Sequence, residues 1–275
     1  MTAKETATEY ETIRIDRDGA VDWLTLNRPE ALNAINTQMV TDLRDYFGGL
    51  AENTETRVVV MRGEGRAFCA GLDIKQAGDM VDSAGHRPVG YGWGFQGYLA
   101  DVYIAMRRCP QPIISLIQGP ACGGGFAFVL ASDIRVAAQN ARMNAAFIRI
   151  GLSACDMGTS YLLPRLVGTS LASELMLTGR FINAERALAT GLVSEVVADD
   201  QLKDAAAPYL KEMLTTSPMG LRLTKEGLNM AIDANSLEAA MAIENRNQIL
   251  CSNTEDAKEG MRAFIEKRDP VYTGR

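Results

Sequence analysis

The stretch with the clearest chemical potential is Gly119-Pro120-Ala121-Cys122-Gly123-Gly124-Gly125, which follows an apolar run over residues 113–117 and precedes another over residues 126–130. A strand that breaks on glycines and restarts as an apolar helix presents free backbone N–H groups and the positive end of a helix dipole. That chemistry suits an anion or an oxygen on which negative charge develops. Consecutive glycines also leave no Cβ between the main chain and an approaching carbonyl. A tight turn packed in a core would use the same letters. An earlier stretch has the same design: residues 57–62 read as a buried strand, Gly63-Glu64-Gly65-Arg66 as its turn, and residues 67–75 as a loop entering a helix. Two strand ends thus each offer an amide. Two donors aimed at one oxygen form an oxyanion hole, in which losing one donor costs roughly 2.7–4 kcal/mol of transition-state stabilisation.

Ala67-Phe68-Cys69-Ala70-Gly71-Leu72-Asp73, paired with the later glycine stretch, resembles the crotonase superfamily, the enoyl-CoA hydratases and isomerases, and the resemblance runs from about Ile13 to the end of the chain. It implies an α/β fold: a crotonase-like ββα spiral core over residues 1–205 and a helical oligomerisation segment over residues 206–275, which packs homotrimers or stacked hexamers. The implied substrate is an acyl-CoA. Coenzyme A enters as part of that thioester, with no separate cofactor and no metal. By the family pattern the amides of Leu72 and Gly124 bind the thioester oxygen and the enolate charge that develops there. Ala70, Asp73, Ile74 and Lys75 match the coenzyme contact, with Asp73 also suited to cap a helix. Arg28 is a further candidate for the coenzyme phosphates, and Lys267 matches a position near the coenzyme of an adjoining subunit.

The chain departs from the family at its acid–base positions. Family hydratases carry two glutamates where this chain has Ala127 and Phe147, and neither residue can move a proton. Phe147 would also fill the space of the attacking water. Asp156, in Cys155-Asp156-Met157-Gly158-Thr159, matches an aspartate found in family members with other chemistries, including dienoyl-CoA isomerases, naphthoate synthases and a halobenzoyl-CoA dehalogenase. Apolar neighbours would raise its pKa toward neutrality. Alternatively it caps a helix beginning at Met157. The dehalogenase also needs a histidine on the helix corresponding to residues 98–108, which this chain lacks. The resulting expectation is isomerisation or hydrolysis-type chemistry with Asp156 as proton carrier. The alternatives are a hydratase with a displaced acid and an acyl-CoA binder without turnover. Asp79, Asp82, His86, Tyr98, Asp101 and Tyr103 are candidates for a second acid or base, each better explained by surface exposure or packing.

The elements that must position these residues follow from local pattern. Ile13–Ile15 and Val21–Leu26 flank an Asp18-Gly19 turn and read as a hairpin, after a frayed end over residues 1–11. Asn36 is suited to start a helix ending near Gly48-Gly49. Residues 78–97, rich in glycine and without period, read as a long loop, followed by a helix over residues 98–108. Residues 132–137 read as a strand and 145–152 as a short apolar segment. A helix from about Asp156 to Gly168 is followed by further helices, and no strand is expected beyond Pro208.

With 47% apolar and 23% charged residues the composition is that of a soluble globular protein. A net charge of -6 without basic clusters argues against nucleic acid. No run approaches the ~18 apolar residues of a membrane span, so a cytoplasmic location is expected. Five cysteines without a C-x-x-C pair read as free thiols. A thiol nucleophile would need a base, and the single histidine, His86, is distant in sequence from Cys69, Cys122 and Cys155.

Overall fold

The structure, a computed structural model, describes residues 9–77 and 88–275. Strands β1 (Ile13–Asp18) and β2 (Val21–Leu26) form the expected hairpin, in register from Ile13 opposite Leu26 to Asp18 opposite Val21. The chain is tied down earlier than expected, because the Tyr10 hydroxyl donates to Asp45 and the Thr12 N–H to Asp42. Helix α1 (Thr37–Gly49), capped by the Asn36 side chain, crosses to β3 (Val58–Gly63), which pairs parallel with β2.

The chain then winds in repeated units. After β3 come α2 (Ile74–Ala77) and α3 (Pro88–Arg108); after β4 (Ile113–Ile117) come β5 (Pro120–Cys122) and α4 (Gly124–Ala131). After β6 (Ile134–Ala138) come β7 (Arg142–Asn144), α5 (Thr159–Thr178), β8 (Ile182–Asn183), α6 (Ala184–Ala189) and β9 (Glu195–Val197). The large sheet has the order β1-β2-β3-β4-β6-β9, and β5-β7-β8 form a small second sheet. Each return from the large sheet thus passes through a short second pairing before its helix, the ββα spiral.

Because side chains alternate across a strand, β3 feeds two cores. Val59 and Met61 pack with residues of α1, α3 and α4, while Val58 and Val60 pack on the opposite face with Leu202, Ala206 and Tyr209. Burial on both faces explains why β3 and β4 read as continuous apolar runs. Helix α7 (Ala206–Leu214) covers this second face, and the Arg57 guanidinium ties its end by donating to the carbonyls of Met213, Leu214 and Thr216. Residues 206–214 therefore pack on the same sheet as the core.

Helix α3 begins at Pro88, ten residues before the expected start at residue 98. Residues 92–97 bury little: Gly92, Gly94 and Gly97 face open space, Trp93 is exposed and Phe95 is half-buried against the core. The fully buried face comprises Leu99, Val102, Tyr103 and Met106. Residues 145–152 contain a 3₁₀ turn, Ala146–Ile150. Helix α5 starts at Thr159 with Gly158 as its N-cap and breaks at Gly168, so Asp156 does not cap it.

Helices α8 (Pro218–Ala231), α9 (Leu237–Ser252) and α10 (Glu255–Glu266) complete the chain, with no strand after residue 197 among the described residues. One lysine anchors α8. Lys225 is buried, pairs with Asp133 at 2.9 Å, and donates to the carbonyls of Met106 and Gln111. Lys225→Met removes these bonds while leaving Asp133 its contacts with Arg107 and the Ile113 N–H. The expected loss is about 2–3 kcal/mol, less than for a fully orphaned partner. A urea midpoint unchanged from wild type would contradict this anchoring role.

Candidate active site

Two one-residue parallel pairings bring the motif stretches together: Ile35 with Leu72, and Cys69 with Ala121. In the first, the Ile35 N–H donates to the Gly71 carbonyl and the Asp73 N–H to the Ile35 carbonyl. Backbone groups alternate in direction along an extended segment, so the N–H of Leu72 faces away from Ile35, and it finds no acceptor among the described residues. In the second, the Cys122 N–H donates to the Cys69 carbonyl, and the Gly123 N–H donates to Asn144. Gly124 opens α4, where an N–H has no intrahelical partner, and its amide too lacks an acceptor among the described residues.

These two amides are close. A Cβ placed on Gly71 would lie 3.6 Å from the Gly124 nitrogen and 2.7 Å from the Cys122 carbonyl oxygen. The Leu72 nitrogen follows three bonds from such a Cβ, a distance of about 3–4 Å, so the two nitrogens are at most about 7 Å apart and border the same space. Gly71, at φ +93° and against the Cys122 carbonyl, admits no side chain. Gly125 is excluded from carrying one by contact with the Cys69 carbonyl.

The surroundings of Gly124 are apolar. Measured from a Cβ placed on it, Ile35 Cδ1 lies at 2.7 Å, the Tyr103 hydroxyl at 2.9 Å and Met157 Sδ at 3.1 Å. The Phe147 ring lies 3.5 Å from the corresponding point on Gly123, and Ala127 is wholly buried on α4. Tyr103 donates its O–H to the Gly124 carbonyl at 3.0 Å and stacks on Phe128. Burial holds the Tyr103 pKa well above the ordinary phenol value, so it remains a donor. A cleft of about 840 Å³ has Tyr103, Met157, Leu162, Leu166, Leu221 and Leu228 among its lining residues.

Asp156 is half-buried beside this cluster, and its charge acts on Tyr103. Its Oδ1 accepts the Met157 N–H at 2.8 Å and the side-chain amide of Gln96 on α3. Burial raises its pKa above the ordinary carboxylate value, against the opposing effect of those two bonds. Burial likewise pushes the Cys69 thiol up to about 12, which leaves no thiolate at neutral pH, and raises that of Cys122.

Of the residues expected to meet the coenzyme, Lys75 and Ile74 are exposed at the start of α2, and Ala70 donates its N–H to the Leu32 carbonyl. Arg28 is tied into the loop. Its side chain is only 13% exposed, pairs with buried Asp73 at 3.0 Å, and donates to the Ala34 carbonyl, bracing the loop before Leu72. Lys267 is exposed at the end of α10 with φ +55°. Among the second acid–base candidates, Asp79, Asp82 and His86 lie outside the described residues. Asp101 pairs with Arg44, and Tyr98 lies under the Arg44 guanidinium.

Two further residues that position the site belong to none of the motifs named above. Asn33, buried at φ +56°, donates from its side chain to the carbonyls of Glu64, Ala67 and Phe68 and fixes the loop leading to Leu72. Its type was the available clue, since asparagine is enriched in left-handed backbone. Gln96, in a glycine-rich stretch, offered none.

Comparison with known proteins agrees with this geometry. The sequence model of the enoyl-CoA hydratase/isomerase family matches residues 16–275. A probable enoyl-CoA hydratase of Mycobacterium tuberculosis is 41% identical over 251 residues, 91% of this chain and 88% of that protein. A 1,2-epoxyphenylacetyl-CoA isomerase of Escherichia coli is 34% identical over 252 residues, 92% of this chain and 94% of that protein. The crystal structure of an enoyl-CoA hydratase from Bacillus anthracis superposes with a TM-score of 0.89 at 31% identity, covering 96% of this chain and 100% of that one. With its ββα spiral and paired glycine turns, the chain belongs to the enoyl-CoA hydratase/isomerase family.

Proposed function

We propose that the protein transforms an acyl-CoA thioester through an enolate, with the amides of Leu72 and Gly124 holding the thioester oxygen and Asp156 moving the proton. The observation that carries this reading is a half-buried carboxylate next to Met157 and acting on Tyr103, both of which border Gly124, with two amides that have no acceptor among the described residues, where the hydratase glutamate positions are Ala127 and Phe147. The Asp156 carboxylate takes a proton from the α-carbon, and the electron pair of that C–H bond passes into the thioester as enolate. Returning the proton at another carbon completes an isomerisation. In a ring-opening hydrolysis the carboxylate instead takes a proton from a water that attacks a ring carbonyl; the C–C bond from that carbonyl to the α-carbon breaks, its electron pair forms the thioester enolate, and the α-carbon takes the proton. No redox partner is required. The Escherichia coli relative named an isomerase supports this chemistry. The relatives named hydratases support a second reading, a hydratase whose acid has moved to Asp156. A binder without turnover has no use for a half-buried carboxylate at this place.

Ile74 and Lys75, exposed directly after the Leu72 loop, are assigned to the coenzyme, with Asp73 and Arg28 bracing that loop. Phe147 and the cleft beyond Tyr103 and Met157 offer an apolar acyl chain its room. Exposed Phe264, Ile265, Leu237 and Ile249 on the last two helices suit burial against further copies of the chain, which would carry Lys267 to a neighbouring site. Light scattering should then give a trimer or hexamer, and a monomer at micromolar concentration would contradict this assembly.

Hydration of crotonyl-CoA should be slower than in a glutamate-bearing relative by about 10²–10⁴-fold, the usual contribution of general acid–base assistance. Asp156→Asn should abolish isomerisation of a trans-3-enoyl-CoA with little change in acyl-CoA affinity. Fast crotonyl-CoA hydration unaffected by Asp156→Asn would contradict both assignments. The pH profile has a definite sign. The base works as carboxylate and burial raises its pKa, so kcat/KM should fall as pH drops through a value above the ordinary aspartate range. An acid limb at or below that range would contradict a half-buried base.

A further inference from the structure

The hydrogen bonds of Asp156 are one-sided. Oδ1 receives both the Met157 N–H and the Gln96 side-chain amide, while no donor reaches Oδ2 among the described residues. An ionised carboxylate only accepts, so Gln96 must present its NH₂ end, which fixes the orientation of its amide. The Met157 bond is local, from the N–H of one residue to the carboxylate of the residue before it. The Gln96 bond is not local, because it reaches from the early turns of α3 across 60 residues of sequence. Together they grip one oxygen from two independent elements and leave the other without a partner among the described residues.

Gln96 makes no other hydrogen bond among the described residues. Its side chain is exposed, and it stands between Gly94 and Gly97, next to Phe95, the one residue of this turn that packs on the core. An exposed side chain that bonds a single half-buried group acts through that group. We infer that Gln96 is a positioning residue for proton transfer: it pins Oδ1 of Asp156, so that Oδ2 is the atom that exchanges a proton with the substrate.

This inference rests on the reading of Asp156 as the base, and the test separates the two. Gln96→Leu keeps the bulk and removes the donor. Losing a donor to the charged form raises the pKa of that form. A change of about tenfold in the proton equilibrium, or about one pH unit, is expected for a charge-assisted bond at a partly exposed site. The direct readout is carboxyl-carbon NMR of protein carrying isotope-labelled aspartate, with the Asp156 signal identified by its loss in Asp156→Asn. In Gln96→Leu that signal should titrate about one unit higher than in wild type. With a trans-3-enoyl-CoA as probe, kcat should fall about tenfold, KM should stay within about twofold, and the acid limb of the profile should move upward by the same interval. A merely structural role would not move that limb. An Asp156 titration unchanged in Gln96→Leu overturns the Gln96 assignment, even where Asp156→Asn is inactive. A wild-type rate in Asp156→Asn overturns the base itself, and the inference with it.

Discussion

The site depends on two single-residue backbone pairings, Ile35 with Leu72 and Cys69 with Ala121. Neither extends into a full ladder, and in the first the Leu72 N–H lies on the edge turned away from Ile35. Here Ile35 occupies the groups on one edge only, and the amide on the other edge stays available to a ligand. The second pairing carries the glycine turn to within reach of it, and α4 begins where an N–H has no partner by construction. Most of the neighbouring polar groups serve this frame. Asn33 bonds three carbonyls of the loop, Arg28 and Asp73 brace its far end, and Tyr103 holds the Gly124 carbonyl.

On the proposed mechanism the proton machinery is relocated relative to the family pattern. Ala127 and Phe147 make the near wall apolar, with no pair of carboxylates at those positions to hold a water. Asp156 stands in the turn before α5, half-buried, with Oδ1 bonded by Met157 and Gln96. On the same reading the amides polarise the carbonyl whatever the following step is, and the step is set by which carbon Asp156 can reach.

Much of this was legible because the letters were forced by geometry. Gly71 and Gly125 face backbone carbonyls too closely for any side chain, so the motif had to be spelled with glycine. The hairpin announced itself through Asp18-Gly19, and β3 and β4 through apolar runs that packing on both faces demands. What escaped depended on solvent or on distant partners. Of residues 92–97 in α3 only Phe95 packs on the core, too little for a period to show, and glycines there argue against helix by propensity. Arg28 looked like a surface cation, because its partner Asp73 lies 45 positions away in the chain. Asp156 fits a capping residue by type, yet two left-handed residues, Met157 and Gly158, delay the helix start to Thr159.

The central claim is that one thioester oxygen is held by two amides with Asp156 facing the adjacent carbon. A crystal structure with acetoacetyl-CoA bound tests it most directly. The account predicts the thioester oxygen at about 2.7–3.1 Å from both the Leu72 and Gly124 nitrogens, with Oδ2 of Asp156 the nearest carboxylate oxygen to the α-carbon. A thioester oxygen bonded to neither amide, or an Asp156 carboxylate turned away from the acyl group, would contradict it.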